Sequence, residues 1–226
     1  MTTSEALADL RLRQLTSAAL PVGAFAYSQG LESAVELGWV SNAAQAGDWI
    51  GGLLEHAVTR LEMPVLARLM AAFAARDETA ALRWSGLLLA MRDSAELRAQ
   101  ERTLGAAWAT LLVDLDVAAA AAWAHRPQRT ALALFALGAT HFGIALGAAA
   151  QAYLWAWLES QVSAAVRAVP LGHAAAQRLL HALAPRIVSA VTHGLTLADE
   201  EIGAGAPALA IASCRHETQY SRLFRS

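Results

Sequence analysis

From Thr130 to Leu158 the chain carries no Asp, Glu, Lys or Arg. An uncharged stretch of that length has two fates, because it exceeds the roughly 20 residues needed to cross a bilayer and is equally suited to the middle of a helical core. Its content favours the core. Much of it is Ala and Gly, which drive insertion weakly beside Leu, Ile, Phe and Val; His141 and Gln151 lie within it, and Gly138, Gly143 and Gly147 interrupt it. The run therefore predicts a pair of buried helices, with a membrane-associated helical protein as the alternative.

The rest of the chain is compatible with wrapping such a pair. Apolar residues make up 56% and charged residues 16%, against about a quarter charged in an ordinary soluble domain. A chain of 226 residues can bury one large core, since single cores keep growing to roughly 250 residues. Apolar residues recur at helical spacing, and no long stretch alternates as a strand does. The pattern predicts an all-α, single-domain multi-helix bundle of about nine to eleven helices.

Local signals mark the pieces. Ser4-Glu5 opens a helix toward Ala18, and Pro21 and Gly23 mark its end. A second helix is predicted from near Ala24 to Ser28 as far as Gly38. Ser41-Asn42 caps the next, Pro64 kinks or breaks it, Asp77 and Ser94 cap two more, and helices follow over about 117–125, 128–142, 144–168 and 173–198. Residues 1–202 form the domain. Residues 203–226 read as a Gly/Ala/Pro linker and a flexible, Arg-rich, aromatic tail that would fray unless docked.

Chemical motifs are sparse. "LPVGAFAYSQGLESAVELGWV" at 20–40 has no Gly-Lys-Ser/Thr for a phosphate loop, and Ala26 stands where a nucleophile elbow around Ser28 needs glycine. Phe25 and Tyr27 fit a packing or docking face, and Ser28 and Gln29 fit a helix start. His56, His125, His141, His173, His181 and His193 show no metal-ligand spacing. Cys214 and His216 could share a borderline-soft cation such as Ni²⁺, with a second chain completing the site. One cysteine excludes an internal disulfide, and a net charge of −2 gives no basic footprint for nucleic acid. The first residues, "MTTSEALADLRLRQL", lack the apolar core of a secretory signal, which predicts a cytoplasmic protein. No catalytic constellation is legible; a helical metal-dependent hydrolase would need ligands converging from several helices.

Four separated blocks carry a resemblance: "LPVGAFAYSQGLE" at 20–32, "ELRAQERTLG" at 96–105, "SAAVRAVPLG" at 163–172 with "QRLL" at 177–180, and "RHETQYSRLFRS" at 215–226. In this order they resemble the urease accessory protein UreF family. The chain departs from the family pattern at His173, where relatives usually carry Gln. The resemblance implies a non-enzymatic, dimeric, all-α factor that joins UreD/UreH and the GTPase UreG, regulates GTP hydrolysis by UreG, and helps deliver nickel to apo-urease. It needs no resident cofactor and meets Ni²⁺ only in transit. It also implies that Arg215, His216, Glu217, Tyr220, Arg222, Leu223 and Phe224 engage UreD/UreH.

Overall fold

The computed structural model describes residues 2–203 and 205–226. Its α-helices are α1 Thr3–Leu15, α2 Leu31–Glu36, α3 Ala43–Leu53, α4 Thr59–Ala74, α5 Glu78–Ala90, α6 Ala95–Asp114, α7 Ala120–Trp123, α8 Ala131–His141, α9 Leu146–Ala168, α10 His173–Gly194 and α11 Pro207–His216. Among the described residues there is no strand.

The uncharged run is two consecutive helices, and only the first is the fully buried helix expected: in the second, Gln151 and Trp155 are exposed. α8 ends at His141, Gly143 takes a left-handed φ of 67°, and α9 begins at Leu146. Every residue from Leu132 to Ala139 is buried, so α8 is the axis of the bundle, with α4, α6, α1, α5 and α7 packed around it. A helix that is apolar on all sides needs such a jacket. No helix among the described residues is long and apolar enough to cross a membrane.

Helix starts follow their caps. The side chains of Asn42, Asp77, Ser94 and Thr130 accept from backbone N–H groups in the first turns of α3, α5, α6 and α8. α1 starts one residue earlier than expected, because Thr2 and Glu5 form a reciprocal capping box. The helix predicted from the region of Ala24 to Gly38 is cut in two. A single 3₁₀ turn covers Ala24–Ala26, and Gln29 and Gly30, with φ of 51° and 79°, hold the chain left-handed until α2 begins.

Pro64 does not break its helix. α4 runs through it after a π-helical turn at Leu54–Val58, in which Thr59 N–H donates to the Leu54 carbonyl. Proline cannot supply the N–H that the Arg60 carbonyl, four residues earlier, would receive. Gly203 N–H donates to that carbonyl at 3.1 Å, and Gly205 N–H donates to the His56 carbonyl at 2.9 Å. The linker is thus a strap whose backbone donates to this helix, one of its bonds serving the acceptor that the proline leaves open.

Beyond the strap the chain takes the docked course. α11 buries Leu209, Ala212, Ser213 and His216, and packs on α2 and α6. Gly30 is a point of close approach: a Cβ there would sit 3.2 Å from Leu209 Cδ1 and 3.3 Å from Ala212 Cβ. Glycine serves both its positive φ and this contact.

Candidate functional site

The four sequence blocks, far apart in the chain, meet at one end of the bundle. The opening segment 23–32, the first turns of α6, the last turns of α9 and the tail from α11 onward enclose a polar seam.

Ser28, fully buried, grips the last residue. Its N–H donates to the Ser226 carbonyl at 2.8 Å, its hydroxyl donates to the same oxygen at 2.6 Å, and its Oγ accepts from Glu32 N–H. Arg225 N–H donates to the Ala26 carbonyl at 2.9 Å, and Ser226 Oγ donates to Gln100 Oε1 at 2.8 Å. The serine is a structural clamp, with its proton and one lone pair committed.

Glu32 gathers the segment before it. Its carboxylate accepts Leu223 N–H at 2.6 Å and Phe224 N–H at 2.9 Å, and lies 3.2 Å from His216 Nε2. His216 is fully buried, and its Nδ1 lies 2.6 Å from Glu96 Oε2. Glu96 also accepts from Arg222 Nη1 at 2.7 Å, and Glu217 accepts from Ala95 N–H at 2.7 Å. Phe224 is buried beneath the Arg167 guanidinium, 4.3 Å from ring centroid to Cζ, while Arg167 also donates to the Phe25 carbonyl.

The tail residues implied as partner contacts therefore divide. His216 and Phe224 point inward and hold the tail down; Glu217 and Arg222 are exposed but bonded within the chain. Arg215, Tyr220 and Leu223 are exposed, and Tyr220 is wholly so. Tyr27 is buried and Phe25 half-buried, so of that pair only Phe25 keeps surface. Cys214 is exposed while His216 is buried. Two residues apart on one helix, they face different sides, and the structure does not bring them together as a bidentate site. Among the described residues no group of three His, Cys, Asp or Glu side chains is arranged to hold a metal ion.

The UreF family model matches residues 40–184. The urease accessory protein UreF of Alkalilimnicola ehrlichii is 50% identical over 99% of this chain and 98% of its own. The chain belongs to the UreF family of urease accessory proteins. The UreF proteins of Psychrobacter cryohalolentis and Chromohalobacter salexigens are 48% and 47% identical, each over 97% of this chain and 95% of theirs.

The partners that fix this tail carry no signal of their own in the sequence. Glu32, Glu96, Gln100 and Arg167 lie in the blocks that carry the resemblance. Each is a polar residue inside a helix-forming run, which by itself reads as solvated surface.

Deeper in the same end of the bundle lies a buried charge network. Arg92 pairs with Glu62 at 2.7 Å and with Glu101, and Tyr153 Oη donates to Glu62 at 2.6 Å. Burial opposes the Arg92 charge, but the Glu101 and Glu62 carboxylates outweigh it and raise its pKa. Burial, then Glu62 and Glu101, push the Tyr153 hydroxyl well above its ordinary value and keep it a donor.

Proposed function

We propose that this chain is a non-enzymatic scaffold in urease maturation, joining UreD/UreH and UreG for nickel delivery to apo-urease and regulating GTP hydrolysis by UreG. One observation carries the docking part of this reading. The tail is fixed from below by Glu32, Glu96 and Ser28, while Tyr220 and Leu223 project outward without apolar cover. An exposed tyrosine and leucine on a segment already ordered need little further ordering to bind, and Tyr is a residue type that dominates interface energetics.

UreD/UreH is assigned to this outer face, with Arg215 beside it. Nickel is cargo in this reading. Direct contact would fall on exposed Cys214, with the remaining ligands supplied by another chain. The working unit is a homodimer in the cytoplasm.

Tyr220→Ala together with Leu223→Ala is expected to leave the unfolding midpoint of the isolated protein unchanged and to lower co-purification with UreD/UreH at least tenfold. Full capture by this double variant would reject the assignment of the face. Capture of UreD/UreH and UreG by the parent chain, read in the same pull-down, tests the scaffold role.

A further inference from the structure

Between α7 and α8 the chain lays the segment "AHRPQRT", 124–130, against helices α5 and α6. It is firmly seated. The Ser85 hydroxyl donates to the Gln128 carbonyl, Ser85 Oγ lies 2.8 Å from Thr130 Oγ, and a Cβ on Gly105 would meet the Thr130 carbonyl carbon at 3.0 Å. Glycine at 105 lets the backbones of α6 and the segment touch.

Arginines gather where the two meet. Arg129 Nε donates to the Arg102 carbonyl at 3.2 Å, and Arg102 Nε donates to the Pro127 carbonyl at 3.5 Å, so each reaches across to the other's strand of chain. Arg98, one turn before Arg102 on α6, donates to the Arg92 carbonyl at 2.6 Å. Arg126, in the same segment, pairs with Glu78. The other three have backbone carbonyls as partners and, among the described residues, no carboxylate. Glu101 adjoins Arg102 in sequence but is buried, with its oxygens taken by Arg92 and the Ala131 N–H.

This arrangement is unfavourable by itself. Like charges at i, i+4 on a helix repel, and Arg98 and Arg102 are such a pair. The whole chain has a net charge of −2, so the positive charge here is a local concentration and not a share of a general excess. Each of the three guanidiniums is anchored to backbone and keeps further N–H groups without a partner, in the planar fork that matches a carboxylate.

We propose that Arg98, Arg102 and Arg129 dock an acidic segment of a partner protein, its Asp or Glu side chains taking the unpaired guanidinium N–H groups. Carboxylates relieve the repulsion and supply the counter-charge that the chain itself directs elsewhere. The patch is small for nucleic acid: strongly salt-dependent DNA binding rests on about 6–10 phosphate contacts, and here three unpaired cations stand on a chain of negative net charge. No residue of the tail takes part, and the docking does not depend on the UreD/UreH assignment.

Fluorescence anisotropy of acetyl-hexaglutamate amide carrying a neutral dye, titrated with the full chain at an ionic strength of about 0.01 M, tests the patch. Saturable binding is expected, weakening at about 0.15 M as exposed charge pairs are screened. Arg102→Gln together with Arg129→Gln is expected to lower affinity about tenfold. Arg13→Gln together with Arg178→Gln removes the same charge from exposed positions elsewhere and is expected to lower it by less than about twofold. If the first double variant fails to fold, Arg102→Gln alone keeps the Arg129 bonds, which run to backbone, and is expected to lose about threefold. No saturable binding, equal losses in the two double variants, parental affinity in Arg102→Gln, or tighter binding of a thymidylate hexamer through the same arginines would overturn the proposal, the last in favour of nucleic acid.

Discussion

At the scale of single residues, Glu32 concentrates more of the tail's attachment than any side chain around it. Leu223 N–H, Phe224 N–H and His216 all meet its two oxygens. A glutamine in its place offers one acceptor oxygen and turns an NH₂ toward groups that themselves donate. Glu32→Gln is expected to destabilise the fold by about 1–3 kcal/mol, because a buried backbone donor loses its acceptor. Urea unfolding would measure that loss, and trypsin would cut earlier at Arg222 and Arg225. Unchanged cleavage would show that the tail is held elsewhere. Ser28→Ala, which removes one hydroxyl bond and a side-chain acceptor, is expected to cost only about 1 kcal/mol. Tyr153 gives a pH test. Its folded-state pKa is raised, so the stability it contributes is complete below its ordinary value of 10.0 and is lost as pH climbs past that toward the higher folded value. Stability in urea is therefore expected to fall between pH 9.5 and pH 11 more steeply in the parent than in Tyr153→Phe; equal slopes would count against the buried hydroxyl.

At the scale of elements, what was legible in the sequence was what is decided locally. Asn42, Asp77 and Ser94 cap their helices as their side chains predict, and the glycine-rich interruption at Gly143 divides the uncharged run into two helices. Features decided at a distance were not legible. Proline in a helix reads as a break, and Pro64 stays inside α4 because the Arg60 carbonyl finds a donor in Gly203, far along the chain. The seam at Glu32, Glu96 and Ser28 was hidden for the same reason: its partners lie on the tail, and no spacing rule connects the two. α11 escaped notice because its first turn follows a Gly/Ala/Pro segment that reads as linker, although Pro207 suits a helix start. The strap yields a coupling test. Gly203→Pro removes the donor to Arg60 and is expected to cost about 1 to 3 kcal/mol. In a Pro64→Ala background the helix supplies its own N–H to that carbonyl, so the same change should cost about 1 kcal/mol less, read as the interaction term of a double-mutant cycle in urea. Strict additivity would mean that the strap is incidental to the proline.

At the scale of the whole molecule, the uncharged helix decides whether the chain has one core or several. α8 is buried on every side, and the helices before and after it in sequence, α4, α5, α6 and α9, close around it or around its neighbours. Loss of packing at its centre is therefore a loss for the molecule and not for one layer. Phe135 is the largest of the fully buried side chains and touches the Trp108 and Tyr153 rings that link α6 and α9 to the axis. Truncation of a buried phenylalanine costs about 3–5 kcal/mol, and a folded domain has about 5–15 kcal/mol in all. Phe135→Ala is thus expected to consume a large share of the total and to shift the urea midpoint of the tail and the body together, because both rest on the same axis. Leu7 and Leu10 offer the contrast: both are exposed on α1, and polar replacements there should stay within about 0.5 kcal/mol. Hydrogen exchange separates the alternatives. If α11 amides in Phe135→Ala open with the same free energy as those of α8, the tail belongs to the single cooperative unit. If they open sooner while α8 stays closed, the tail is a separate layer, and its docking through Glu32 becomes an equilibrium that a partner protein can shift.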